Sequence, residues 1–74
     1  MKIIVNGDPM EVSGGETAAG LLKQLNLKPE LVVVELNTTI LKRDALASSA
    51  LKEGDHVEVV HFVGGRRDVM PTGM

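Results

Sequence analysis

The stretch Met1–Leu25, MKIIVNGDPMEVSGGETAAGLLKQL, changes its hydrophobic period partway along, and this change predicts the fold. Ile3 and Val5 alternate with polar residues, and the "NG" pair that follows is strong turn chemistry before a second short strand. From Thr17 the apolar residues instead recur at the spacing of one helical face: Ala18, Leu21, Leu22 and Leu25. Pro29 should end this helix, because proline disfavours a helical residue before it. The stretch therefore predicts a β-hairpin that leads into an amphipathic helix.

The remainder of the chain predicts further short strands. "LVVVEL" (31–36) is a β-branched apolar run typical of a covered strand, and "ILKR" (40–43) indicates a short edge strand. "DALASSAL" (44–51) predicts one helical turn, and "HVEVVHFV" (56–63) alternates as the last strand. With the first and last strands side by side, this order is the α+β β-grasp plan: a small mixed sheet of four or five strands packed on one helix. We find no repeat and no second domain.

The composition excludes several classes of function. The 74 residues include no cysteine, so disulfides and Cys-based metal sites are ruled out. One aromatic residue and a net charge of −2 argue against a nucleic-acid surface, which needs stacking side chains or a basic field. No apolar run approaches the roughly 18 residues that span a bilayer, and the amino end lacks a signal-peptide pattern. We expect a cytoplasmic protein without nucleic-acid or membrane partners.

The sequence contains no pattern that indicates catalysis or metal binding. His56 and His61 are five residues apart on one predicted strand, so their side chains point to opposite faces. Ser48–Ser49 has no evident base beside it, and "GGET" (14–17) lacks the lysine and the spacing of a phosphate-binding loop. We expect no catalytic residue, no metal and no bound cofactor.

The glycine pair Gly64–Gly65 follows the last predicted strand directly, where the chain leaves the fold. Taken alone, such a pair commonly does no more than end a strand. Four segments give it a context, because they resemble the ThiS sulfur-carrier family in order and spacing over residues 1–65: MKIIVNGDPMEV, GETAAGLLKQL, VVVELNTTIL and LKEGDHVEVVHFVGG. The sister MoaD family usually has a longer body, with aromatic and proline residues before its glycines, and this chain lacks them.

The resemblance implies a ubiquitin-like fold and a protein co-substrate rather than an enzyme. In such carriers a ThiF-type enzyme uses ATP to adenylate the terminal glycine carboxylate. A sulfur donor, such as a cysteine desulfurase relay, then forms a thiocarboxylate, and a thiazole synthase uses its sulfur for the thiazole of thiamine. Mapped onto this chain, Gly65 carries the thiocarboxylate. Gly64 and Gly65 form a flexible pair that can enter a narrow groove, because glycine reaches conformations closed to other residues.

Alternation along the first and last strands predicts a partner-binding surface on the sheet face away from the helix. If Val57 and Val59 face the helix, then Ile4, Val60 and Phe62 face the other way and form one exposed apolar patch. Exposed apolar clusters often mark interfaces. Val63, beside the glycines, completes the predicted partner-binding set. An ordinary half-covered sheet is the alternative.

The segment RRDVMPTGM (66–74) departs from the family pattern, since members commonly end at the glycine pair. While it is attached, Gly65 carries a peptide carbonyl and has no free carboxylate. Its polar start, proline and glycine indicate a flexible tail that a processing protease removes from a 1–65 carrier domain. A cloning scar, or a start-codon or gene-fusion artefact, is the other explanation.

Three other functions stay open from the sequence. The chain could carry sulfur for a metallophore, cysteine or molybdopterin route. It could be a ubiquitin-like modifier that is joined to protein lysines. Finally, it could be a β-grasp interaction module whose glycines only end a strand.

Overall fold

The computed structural model of the protein describes residues 1–63 and 66–69, with side chains up to His61. Along the chain the elements are β1 (Lys2–Val5), β2 (Asp8–Glu11), helix α1 (Ala18–Gln24), a 3-10 turn (Pro29–Leu31), β3 (Val32–Leu36), β4 (Thr39–Leu41), a second 3-10 turn (Arg43–Ala45), β5 (His56–Val63) and β6 (Arg66–Val69). Within these described residues, no helix is long and apolar enough to cross a membrane.

The strands form one mixed sheet in the order β2-β1-β5-β3-β4. The central pair, β1 and β5, is parallel, whereas β1–β2, β3–β5 and β3–β4 are antiparallel. A parallel pair requires a crossover connection, and α1 lies within that crossover. The predicted ubiquitin-like β-grasp fold is confirmed.

The β1–β2 hairpin forms where the sequence predicts it. Val5 pairs with Asp8, and the two residues between them, Asn6 and Gly7, have φ angles of 48° and 89°. Positive φ at both central residues is the requirement of a type I′ turn, which Asn-Gly meets better than most pairs.

Helix α1 starts with Thr17 as its N-cap, whose hydroxyl accepts a hydrogen bond from the Gly20 amide at 3.1 Å. It ends before the predicted proline stop. Asn26 adopts a left-handed φ of 62°, and the Leu27 amide donates to the Leu22 carbonyl at 2.9 Å. This is a Schellman motif with asparagine in the position that glycine usually takes. The helix boundary is therefore set by local capping and not by Pro29.

One apolar cluster between α1 and the sheet forms the core. The predicted helical face supplies Ala18, Leu21 and Leu22, which are all buried, while Leu25 is partly buried. The other members come from the sheet and the loops, and they are Ile3, Val5, Val12, Val34, Leu46, Leu51, Val57 and Val59. The described residues contain no buried polar or charged side chain, so this cluster stabilises the fold by apolar burial alone.

The segment after residue 65 differs from the expected flexible tail. Arg66–Val69 form β6, which pairs antiparallel with β5 from Val60 to Val63. The physical reason is that β5 extends beyond the end of β1, and an uncovered strand edge pairs readily with any extended segment nearby. Gly-Gly is also a favoured pair between the strands of a hairpin, a signal that the sequence-based prediction did not use. Residues 70–74 lie outside the described residues.

We expect Leu21→Ala to destabilise the protein by about 2–5 kcal/mol, because Leu21 is fully buried in the core cluster and its truncation leaves a cavity. Lys23→Ala, an exposed change on the same helix, should alter stability by less than about 0.5 kcal/mol. Urea unfolding measures both free energies. Equal effects of the two substitutions would contradict the packing described here.

Candidate functional site

The carboxyl-terminal part of β5 projects beyond β1 toward the glycine pair. We call the backbone from His61 to Val63 the β5 arm. On one side, β1 pairs with β5 only at His56 and Val57. On the other side, β3 follows β5 as far as His61. On one side, the position of the arm is therefore fixed by pairing with β3. On the other side, it depends on the groups that contact β5 beyond Val57.

The Asn6 side chain continues the β1–β5 ladder past the end of β1. The Asn6 amide donates to the Val57 carbonyl at 2.9 Å. Its side-chain Oδ1 accepts from the Val59 amide at 2.8 Å, and its Nδ2 donates to the Val59 carbonyl at 3.3 Å. The Asn6 side-chain amide thus forms with Val59 the two hydrogen bonds that backbone groups would form if β1 were longer. In the sequence, Asn6 shows only its turn role, because this contact joins residues 53 positions apart.

The entry into β5 is fixed by the segment Glu53–Gly54–Asp55, the "EGD" of the family resemblance. Glu53 accepts from the Lys2 amide at 2.9 Å, and the Gly54 amide donates to the Lys2 carbonyl at 2.7 Å. Gly54 has a φ of 84°, which favours glycine. The "EGD" segment therefore has a structural role, because it aligns the start of β5 with β1.

The Asp55 carboxylate completes this alignment on the far side of β5. It accepts from the Lys52 amide at 2.7 Å and from the Asn37 side chain at 3.0 Å. Asn37 in turn accepts from the His56 amide at 2.9 Å through Oδ1. The turn before β5 is thus joined to the β3–β4 turn, and the position of β5 is fixed from both neighbouring strands.

Ile4 and Val60, the patch residues whose side chains are described, lie on the same face of the sheet, but they are not neighbours there. Ile4 is half-buried and has Pro9 and His56 as its cross-strand partners. Val60 is only 9% exposed and pairs with Val33. Between the positions of Ile4 and Val60 along that face lies Glu58 on β5, so Ile4 and Val60 do not form one exposed patch.

The remaining predicted site residues belong to the end of the described chain. Phe62 and Val63 lie in β5, and their side chains are outside the described part. Gly64 and Gly65 are outside the described residues as well.

The register reveals an acidic pair that the sequence alone did not show. Glu35 on β3 lies directly opposite Glu58 on β5, on the face away from α1. Like charges in that arrangement repel each other, so the pair costs stability unless a cation or a basic group lies near it. Ile40, 64% exposed, is the cross-strand partner of Glu35 on its other side. Among residues 1–61, whose side chains are described, no three side chains converge as metal ligands.

Comparison with known proteins gives a consistent family assignment. The sequence model of the ThiS family matches residues 3–65. A protein named thiazole synthase from Magnetococcus marinus is 45% identical over 65 residues, covering 88% of this chain and 20% of that protein. A second thiazole synthase, from Paramagnetospirillum magneticum, is 35% identical over 68 residues, covering 92% and 21%. The chain spans about a fifth of the length of these two relatives.

Smaller relatives match along most of their length. The sulfur carrier protein ThiS of Escherichia coli is 26% identical over 65 residues, which are 88% of this chain and 98% of that protein. A crystal structure of the thiamine biosynthesis protein ThiS from Geobacter metallireducens aligns with a TM-score of 0.77 at 38% identity, covering 89% of this chain and all of that one. A solution structure of a thiamine biosynthesis protein from the same organism aligns with a TM-score of 0.72 at 36% identity, covering 100% and 99%.

We expect Asn6→Gly to destabilise the protein by about 1–3 kcal/mol, because it leaves the partly buried Val59 amide and carbonyl without their partner. Glycine tolerates the left-handed turn, so the loss reports on the side chain. Asn26→Gly, at an exposed left-handed position, should be near neutral. Urea unfolding together with amide exchange at Val59 tests this, and an unchanged Val59 exchange rate would refute the bridge.

Proposed function

Because this chain belongs to the ThiS family, we propose that it is a sulfur carrier whose Gly65 becomes a thiocarboxylate after residues 66–74 have been removed. The observation that carries the proposal is the family match itself, which runs from residue 3 to residue 65 and so ends on the second glycine. The likeness to the Escherichia coli sulfur carrier over nearly its whole length supports the same role. In this role the chain is the substrate of other enzymes and not a catalyst.

The chemistry needs a free carboxylate at Gly65. That carboxylate attacks the α-phosphorus of ATP on a ThiF-type enzyme, pyrophosphate leaves, and an acyl adenylate forms. The terminal sulfur of a persulfide on a donor, such as a cysteine desulfurase relay, then attacks the acyl carbon and displaces AMP to give an acyl disulfide. A thiol attacks the donor's sulfur in that disulfide, which releases the thiocarboxylate and leaves a new disulfide on the donor. A peptide bond between residues 65 and 66 blocks the first step, because an amide oxygen does not replace the carboxylate. A processing protease is therefore part of the proposal, and ATP is consumed by the activating enzyme.

The sulfur acceptor that we propose is a thiazole synthase. Two proteins of that name contain a segment similar to this chain, and this supports a carrier and an acceptor that act together. Delivery to a metallophore, cysteine or molybdopterin route is the alternative within the same chemistry.

The proposed partner-binding residues are Ile4, Val60, Phe62 and Val63. Of the two whose side chains are described, Ile4 is the more accessible, whereas Val60 is 9% exposed. The neighbouring Glu35–Glu58 pair favours a partner surface that brings a basic group, since this would relieve the repulsion between the two carboxylates.

We expect residues 1–65, incubated with ATP, a ThiF-type enzyme and a sulfur donor, to gain the mass difference between sulfur and oxygen. Every described member of the core cluster lies within residues 1–59, so this shorter chain retains all of them. Intact-mass spectrometry is the measurement, with Escherichia coli ThiS treated in parallel as the positive control.

Two matched chains make this test specific. The chain of residues 1–64 ends on a glycine carboxylate that is one residue too early. The chain of residues 1–74 has no carboxylate at position 65. Neither chain should gain sulfur. If 1–65 stays unmodified with every activating enzyme of its own organism, the interaction module becomes the better explanation. Conjugates of higher mass in cells would instead favour the protein modifier.

A further inference from the structure

On the side where β1 has ended, the β5 arm has an edge that β1 does not pair with. Backbone groups of successive residues in a strand point to opposite edges, so every second residue presents its amide and carbonyl to the same neighbour. Val57 and Val59 direct theirs toward β1 and Asn6. The same alternation directs the amide and carbonyl of His61 and Val63 to that edge, beyond the reach of β1.

Strand β6 pairs along this edge, and the Asn6 side chain occupies the backbone groups that come next on it. Arg66 pairs with Val63 and Asp68 pairs with His61, and among the described residues the pair farthest from the glycines is Val69 with Val60. The next groups on that edge belong to Val59, and the Asn6 side chain already occupies both of them. The part of this edge that is available for pairing therefore lies between Asn6 and the glycine pair.

We propose that this edge of the β5 arm is a strand-pairing site with two successive occupants. Within the 74-residue chain Arg66–Val69 occupy it. Once they are detached, an extended segment of the activating enzyme takes their place, and this second half rests on the proposed function. Addition of an extended peptide to a free sheet edge is a general mode of recognition, in which backbone hydrogen bonds supply the affinity.

The two occupants compete for the same four backbone groups. Because β6 is tethered two residues from β5, its effective concentration at the edge is high, on the order of millimolar for short flexible links. A partner strand in solution at lower concentration cannot displace it efficiently. Until residues 66–69 are released, they therefore prevent partners from pairing with the arm. Their attachment also keeps the Gly65 carbonyl in a peptide bond, so that no free carboxylate is present.

Amide hydrogen exchange of the free protein tests the first occupant. We expect the His61 amide to exchange about tenfold faster, or more, in residues 1–65 than in residues 1–74, which corresponds to about 1.4 kcal/mol of pairing. The Val60 amide points to β3 and serves as the internal control, with the same rate in both chains. If His61 exchanges equally in the two chains, β6 does not hold this edge.

Two proline substitutions in the full chain form a matched pair. The alternation points the Asp68 amide toward His61, so Asp68→Pro removes a donor of the pairing and should accelerate His61 exchange. The Val69 amide points away from β5, so Val69→Pro should leave that rate near the parent value. Equal rates in the two variants would overturn the assigned pairing.

The second occupant is tested with the activating enzyme. In a complex of residues 1–65 with a ThiF-type enzyme, the His61 amide should regain protection. Full-length chains can also be tested as inhibitors of the adenylation of residues 1–65. The Asp68→Pro chain should inhibit several-fold more strongly than the parent chain or the Val69→Pro chain.

If 1–65 is adenylated while His61 stays unprotected in the complex, strand pairing with the partner is wrong and the carrier function stands. If 1–65 is never adenylated, the carrier function falls, and the exchange of the free chain still decides whether β6 occupies the edge.

Discussion

The parallel pairing of β1 with β5 is the interaction on which the rest of the structure depends. It joins strands that are distant in the sequence, and contacts on its edge link residues 53 positions apart. The segment Glu53–Gly54 aligns it where β5 begins, and Asn6 extends it to Val59. Closing so long a loop costs conformational entropy that only a buried core can offset, so the packing of α1 over this pair and the pairing itself stabilise each other.

Local patterns were sufficient to predict the hairpin, the helical face and the β-grasp order. An Asn-Gly pair and a helical repeat of apolar residues act over a few positions, and the core formed from the residues they indicate, such as Ile3, Leu21 and Leu22. The roles of Asn6 and of the Glu35–Glu58 pair could not be predicted in this way. Both depend on which residues of distant strands lie opposite each other, and one residue of slip would change every such pair.

The segment after the glycine pair shows two local signals in competition. Two arginines, a proline and a glycine in residues 66–74 indicate a solvated tail, whereas a Gly-Gly pair between extended segments is typical of a hairpin. The unpaired edge of β5 decides in favour of the hairpin for Arg66–Val69. Neither signal could be weighed from the sequence, because the length of free edge depends on where β1 ends.

The core cluster and the β5 arm occupy different parts of this sheet. Among the residues whose side chains are described, the last member of the core cluster is Val59, and β5 continues beyond it to Val63. Pairing along the edge of the arm uses backbone groups, so this edge can change partners without removing any described side chain from the core cluster. In the proposed function the carrier is bound, activated and released by several enzymes in turn. This separation keeps each exchange from costing part of a small stability margin. The Asn6 bridge is the boundary between the two regions: it completes the ladder of the body and leaves His61 as the first residue whose backbone on that edge a partner can take.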